Sequence, residues 1–223
     1  MPLLTVSNLR KSFLLQEGTR QAVVNVPEFA MEPQTEVGLS GESGSGKTTF
    51  LHLLAGILTP DSGTVTLQNS TVSALPEAAR DRLRATSIGY IFQSFNLLQG
   101  YTCLENVLVA MSFGKGLDRS HARELLSRVG LTHRLDHYPR QLSTGQQQRL
   151  AVARALSNRP ALVLADEPTG NLDRRNTSEV LALIRSVCRE NSAALLLVSH
   201  DRDVLAQFDR GENFESLNRI ETL

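Results

Sequence analysis

Hydrophobic positions change their period several times along the chain, and each change predicts a change of element. Residues 3–9 alternate well enough for a strand. Ala22–Val26 and Phe29–Met31 give two more short β segments, parted by Pro27. Phe13 falls in a short polar loop among them, and the three segments predict an antiparallel β layer. Residues 35–39 (Thr-Glu-Val-Gly-Leu) read as a strand, a glycine-rich stretch follows, and residues 49–55 read as a helix. Residues 58–63 are loop by composition and residues 64–67 resume a strand. Glu77–Arg84 predicts a charged, solvated helix, and residues 87–92 predict a strand that ends at Gln93.

Beyond Gln93 the period lengthens. Leu104, Val107 and Leu108, then Ala122, Leu125, Leu126 and Val129, recur at helical spacing, punctuated by Gly114, Gly116, Gly130 and Pro139. The last of these helices opens at Leu142-Ser143-Thr144-Gly145 and runs to about Leu156. Two continuous apolar runs, Ala161–Ala165 and Ala194–Val198, have the length and composition of strands buried on both faces of a parallel sheet. The helix between them keeps Val180, Leu181, Ile184, Val187 and Cys188 on its buried side. Residues 209–223 are polar with short β candidates. The expectation is a single α/β domain over residues 1–223. Residues 1–94 and 157–223 make an α/β core with an antiparallel β subdomain, and residues 95–156 make an inserted helical subdomain.

At 223 residues the chain can form one large core, or one domain with an insertion. Its 23 Lys and Arg balance 23 Asp and Glu, which removes any global electrostatic case for nucleic acid or an anionic membrane. No apolar run approaches the roughly 20 residues of a membrane helix. The first residues lack the basic start and long apolar core of a signal peptide. Cys103 and Cys188 are far apart, without metal-ligand spacing, and read as free thiols in a reducing compartment. A cytoplasmic protein is expected, and work at a membrane would need a partner to hold it there.

Chemistry concentrates at the ends of the predicted strands. Gly41-Glu42-Ser43-Gly44-Ser45-Gly46-Lys47-Thr48 has two glycines at the spacing of a phosphate-binding loop, then Lys and Thr. Glycines let the backbone wrap an anion with its N–H groups pointing inward, and the following helix adds its positive end. Lys47 would reach the β- and γ-phosphates, and the Thr48 hydroxyl would bind Mg²⁺. A glycine-rich turn with a chance lysine would leave the strand before it and the helix after it unexplained. Asp166 and Glu167 end an apolar run, where α/β proteins bind ligands. Asp166 is placed for a Mg²⁺ shell and Glu167 for polarising a water as general base. Gln93 suits contact with a metal-bound water and suits capping a turn equally. His200 follows a strand, in reach of a γ-phosphate or in a structural role. Ser143 opens either a second anion site or a plain helix cap. Phe13 suits a nucleobase face or a half-buried core position.

Taken in order, these elements resemble the ATP-binding subunits of ABC transporters over essentially the whole length. The matching elements are the Walker A loop Gly41–Thr48, the Q-loop Gln93, the signature Leu142-Ser143-Thr144-Gly145-Gln146, the Walker B acids Asp166 and Glu167, the D-loop Asn171-Leu172-Asp173 and the switch His200. The resemblance implies a RecA-like, phosphate-loop nucleotide-binding fold with ATP and Mg²⁺ as cofactors. It places nucleotide on Phe13, Gly41, Ser43, Gly44, Ser45, Gly46, Lys47, Thr48 and Thr49, with Ser143, Gly145 and Asp173 serving the ATP of an opposite subunit. Mg²⁺ falls to Thr48, Gln93 and Asp166, and catalysis to Glu167, Gln93 and His200. Partners implied are a second copy, head to tail, and an integral membrane permease, with the chain peripheral on the cytoplasmic face of the inner membrane. Residues 146–149 and 165–173 resemble the MacB/LolD/FtsE branch, whose permeases are FtsX-like. That implies export, lipoprotein extraction or force transmission. Two departures stand out: Thr144 replaces the usual glycine of the signature, and Gln99-Gly100-Tyr101 lacks the proline of the branch.

Other readings differ in what they require. A soluble ABC ATPase acting on DNA or ribosomes would usually carry coiled-coil inserts, tandem cassettes or basic patches. A nucleotide-gated scaffold of the FtsE type would move little or no cargo. A GTPase would need an Asn-Lys-x-Asp motif, which does not occur.

Overall fold

The computed structural model of the protein describes residues 1–220; the end of the polar tail, residues 221–223, lies outside the described residues. The chain opens with a long antiparallel hairpin of β1 (Leu4–Leu14) and β2 (Arg20–Met31), in which Leu4 faces Met31 and Leu14 faces Arg20. Two expectations need correction here. Phe13 lies within β1 rather than in a loop, and β2 runs unbroken through Pro27. The reason is position. β2 is the edge strand, where a residue without an N–H costs no ladder bond. The register runs unbroken from Ser7–Glu28 to Leu9–Val26 and shifts only between Lys11 and Ser12, so Pro27 lies opposite Asn8, which takes a left-handed φ of 50°.

β3 (Glu36–Ser40) then leaves for a second sheet and runs through the glycine loop into α1 (Lys47–Leu54). The chain returns to the first sheet with β4 (Ser62–Leu67) and the two-residue β5 (Ser70–Thr71). α2 (Glu77–Ser87) leads to β6 (Ile88–Ile91) in the second sheet. Three helices follow: α3 (Cys103–Phe113), α4 (Arg119–Arg128) and α5 (Thr144–Leu156). The chain continues as β7 (Leu162–Asp166), α6 (Arg174–Glu190), β8 (Ala194–Val198), α7 (Arg202–Leu205), β9 (Arg210–Asn213) and α8 (Phe214–Leu217).

The second sheet has the order β6-β7-β8-β3-β9 and is parallel throughout. β7 and β8 are interior strands with every residue buried, which explains their unbroken apolar runs. Side chains alternate across the sheet. Leu164 and Leu196 pack with Leu39, Phe50 and the first sheet, while Val163, Ala165, Leu195 and Leu197 pack with α3, α5 and α6. Register aligns the strand ends: Asp166 pairs with Val198, and Leu39 also pairs with Val198. The glycine loop, the two acids and His200 therefore emerge side by side on one edge of the sheet.

Leu164 is fully buried at the centre of this arrangement. Leu164→Ala should lower unfolding free energy by about 2–5 kcal/mol. Denaturant titration checks this, and a loss below about 1 kcal/mol would mean that β7 is not part of the core. Both cysteines are free and buried, and burial pushes Cys103 up to about 11 and Cys188 up to about 12. At neutral pH both stay protonated and unreactive. Among the described residues no helix is long and apolar enough to cross a membrane.

Candidate functional site

The site starts with the backbone of the glycine loop. Gly44 and Gly46 take φ values of 82° and 102°, a region that favours glycine. At Gly46 the constraint is double, because a Cβ there would sit 2.6 Å from the Val23 carbonyl oxygen. Gly46 is also the N-cap of α1 and brings no capping side chain, so the first-turn N–H groups of α1 are left for an external acceptor. Lys47 is buried. Its Nζ donates to the carbonyls of Gly41 at 2.9 Å and Glu42 at 2.5 Å, and lies 3.4 Å from Ser45 Oγ. The loop thus holds its own ammonium with oxygens of the kind a phosphate would supply.

Facing it are the acids. Burial pushes the Asp166 carboxyl above its ordinary range and the adjacent Glu167 adds to this, while Thr48, His52 and Lys47 pull it back. Burial lowers His52, and Asp166 partly restores it. Glu167 takes a left-handed φ of 46°, uncommon for a residue with a side chain. Its N–H donates to Val198 O at 3.1 Å, which turns its carboxylate across the ends of β7 and β8. There Oε2 lies 3.0 Å from His200 Nδ1 and accepts the His200 N–H at 3.4 Å. Gln93 follows β6, and its carbonyl accepts from Asn171 Nδ2 at 2.9 Å. Just beyond it Phe95 and Asn96 are both left-handed, with φ of 61° and 50°, and Arg154 of α5 donates to both carbonyls.

These groups enclose a cavity of about 400 Å³. Ser43, Gly44, Gly46, Lys47, Thr48, Thr49, Gln93, Asp166, Glu167 and His200 line it, with Val23 as an apolar wall. Gly41 and Ser45 belong to the same loop behind that lining. The remaining candidates stand apart. Phe13 is 39 % exposed on β1, with Lys11 Nζ 5.7 Å from its ring centroid. Ser143 caps α5, its Oγ accepting the Gln146 N–H at 3.3 Å while Gln146 Oε1 accepts the Ser143 N–H at 3.1 Å. Thr144 and Gly145 follow in the first turn, and Thr144 is exposed. Asp173 caps α6 by accepting from Asn176 N–H at 3.0 Å and Nδ2 at 2.6 Å. Nothing in the residue pattern marks Val23, which looks like any strand valine, or Glu215, whose carboxylate accepts the Glu42 N–H at 2.6 Å.

The donors suit Mg²⁺. Among the described residues no three His, Cys, Asp or Glu groups are placed together for a metal. A cation here must draw on hydroxyl, amide, water and phosphate oxygens around one carboxylate, which is the donor set Mg²⁺ prefers beside a nucleotide.

Residues 24–170 match the family model described as ABC transporter. The chain belongs to the ABC transporter family. It is an ATP-binding, ATP-hydrolysing subunit of such a transporter, with Mg²⁺ the usual partner ion of its ATP. Over 211 residues it is 43% identical to the lipoprotein-releasing system ATP-binding protein LolD of Pseudomonas syringae pathovar tomato, covering 93% of this chain and 92% of the relative. It is 40% identical over 212 residues to LolD 2 of Caulobacter vibrioides, covering 94% and 92%. Among solved structures it resembles the dimeric post-hydrolysis state of the ATP-binding cassette MJ0796 bound to ADP and Pi. The TM-score is 0.86 at 31% identity, with 94% and 93% of the two chains covered. A second dimeric structure of MJ0796, described as a bacterial ABC transporter cassette, gives 0.86 at 32% identity, again covering 94% and 93%. The ABC resemblance, its branch and its α/β fold are thereby borne out.

Proposed function

We infer that this ABC subunit powers lipoprotein release through an FtsX/MacB-like permease, as a head-to-tail homodimer on the cytoplasmic face of the inner membrane. One observation carries the dimer reading. The cavity gathers the phosphate loop, both acids, Gln93 and His200, whereas Ser143, Gly145 and Asp173 lie outside it. A second copy would bring its own Ser143 and Gly145 to the open side of the bound ATP. The cargo class follows from the two LolD relatives.

In this reading Gly41–Gly46 and Thr49 cradle the phosphates and Lys47 exchanges its loop carbonyls for phosphate oxygens. Phe13 offers its ring to the adenine. Thr48, Gln93 and Asp166 would hold Mg²⁺, which would supply positive charge to offset that of the phosphates. Glu167 takes a proton from the attacking water, and His200 fixes the Glu167 carboxylate and meets the γ-phosphate. Positioning and charge stabilisation then supply most of the rate. The permease has a surface to meet. A groove of about 510 Å³ is lined by Ile57, Tyr90, Phe92, Asn96, Phe113 and Arg154 among others, and Ile57 and Phe113 expose apolar area in it.

The test is to recover the tagged Glu167→Gln chain from detergent-solubilised membranes with ATP and Mg²⁺ and to identify what accompanies it. An FtsX-like permease carrying lipoprotein is the expected result. A many-helix permease with a solute-binding protein, or no membrane protein at all, would overturn the assignment.

A further inference from the structure

The C-terminal segment, a featureless polar tail in the sequence, reaches back to the phosphate loop. β9 pairs with β3 in parallel, with Asn213 beside Ser40, so the chain enters α8 next to the point where β3 enters the loop. Phe214 is fully buried against Phe50, with ring centroids 5.4 Å apart, and its edge comes close to Gly46. Glu215 Oε1 accepts the Glu42 N–H at 2.6 Å and lies 3.1 Å from where a Cβ on Gly41 would be. Asn218 Nδ2 donates to Val23 O at 3.1 Å and lies 3.4 Å from Ser45 O, while Asn218 Oδ1 accepts the Asn25 N–H at 2.6 Å. Two polar side chains thus touch both ends of the loop, at Glu42 and at Ser45, and also the backbone of Val23, which walls the cavity.

The charge of Glu215 makes this contact informative. A carboxylate beside a polyphosphate site opposes the ligand electrostatically, even when exposure screens it. The Glu42 N–H holds the Glu215 carboxyl below its usual range, so it stays ionised at neutral pH. Its geometry is that of a backbone acceptor, as in a helix cap, and an acceptor is what an otherwise free loop N–H needs. We propose that Glu215 and Asn218 are positioning residues which hold the phosphate loop in the shape that receives nucleotide, acting through the backbone without touching the ligand. This rests on the reading of Gly41–Thr48 as the phosphate site.

The experiment compares the full chain with Glu215→Ala, Glu215→Gln and Asn218→Ala, using MgADP binding by calorimetry, steady-state ATP hydrolysis and thermal melting without nucleotide. Glu215→Ala should weaken MgADP binding about five- to tenfold, the net worth of one ordinary hydrogen bond. KM should rise by a similar factor while kcat stays within about twofold, and Asn218→Ala should shift the same way. Glu215→Gln restores an acceptor without the charge and should bind within about twofold of the parent. Melting should move by no more than about 4 °C in the Glu215 variants, the span of one lost hydrogen bond in a chain of this size. Unchanged affinity in Glu215→Ala would overturn the proposal, as would a Glu215→Gln chain as weak as Glu215→Ala. Tighter binding in either variant would overturn it too, by showing Glu215 to be a charge that repels nucleotide. A different failure marks the underlying reading: Lys47→Ala binding MgADP as well as the parent would move the phosphate site elsewhere.

Discussion

Glu167→Gln should bind MgATP as tightly as the parent chain and hydrolyse it at least about a hundredfold more slowly, the usual span of a lost general base. The substitution is nearly isosteric. The amide oxygen can still accept the His200 N–H that the carboxylate accepts at 3.4 Å, and the phosphate loop is untouched. What disappears is the group able to take a proton from water. With ATP bound and uncleaved, the closed pair should accumulate, because ATP favours closure only through contacts that hydrolysis removes. Phosphate release under saturating MgATP measures the first effect and light scattering the second. Turnover within about tenfold of the parent would remove Glu167 from the role of base.

Lys47→Ala should fail earlier, at binding. Its ammonium makes two close contacts with loop carbonyls in the free chain, and on the proposed reading the same donors would serve phosphate oxygens in the bound state. Removing two or more charge-assisted hydrogen bonds to a polyanion should weaken MgATP binding by at least about tenfold. The fold should survive, since alanine suits the first position of α1. Calorimetry with the folded variant decides, and an unchanged Kd would count against Gly41–Thr48 as the phosphate site.

The two predictions draw on features that differ in how openly the sequence displayed them. Gly41–Thr48, Asp166 and Glu167 were legible because each has a local cause: glycines where φ is positive, a lysine at a helix start, acids ending an apolar run. β7 and β8 were legible because burial on both faces leaves an unbroken apolar signature. Pro27 misled because local chemistry says break while edge position says tolerate, and only pairing tells which strand is an edge. Phe13 misled for a related reason: a strand end and a polar loop look alike when exposed residues surround them. Glu215 and Asn218 were invisible. Their meaning comes from the β3–β9 pairing, which joins Ser40 to Asn213 across more than half the chain, and no window along the sequence spans that.

The left-handed backbone at Glu167 has a consequence for laboratory evolution. Glutamate there costs the fold on the order of 1 kcal/mol that glycine would recover and asparagine would reduce. A screen that rewards heat resistance alone would drift away from glutamate at this position, and its survivors would be sturdier proteins that had stopped working. A screen that also demanded turnover would keep the acid and collect its stabilising changes elsewhere.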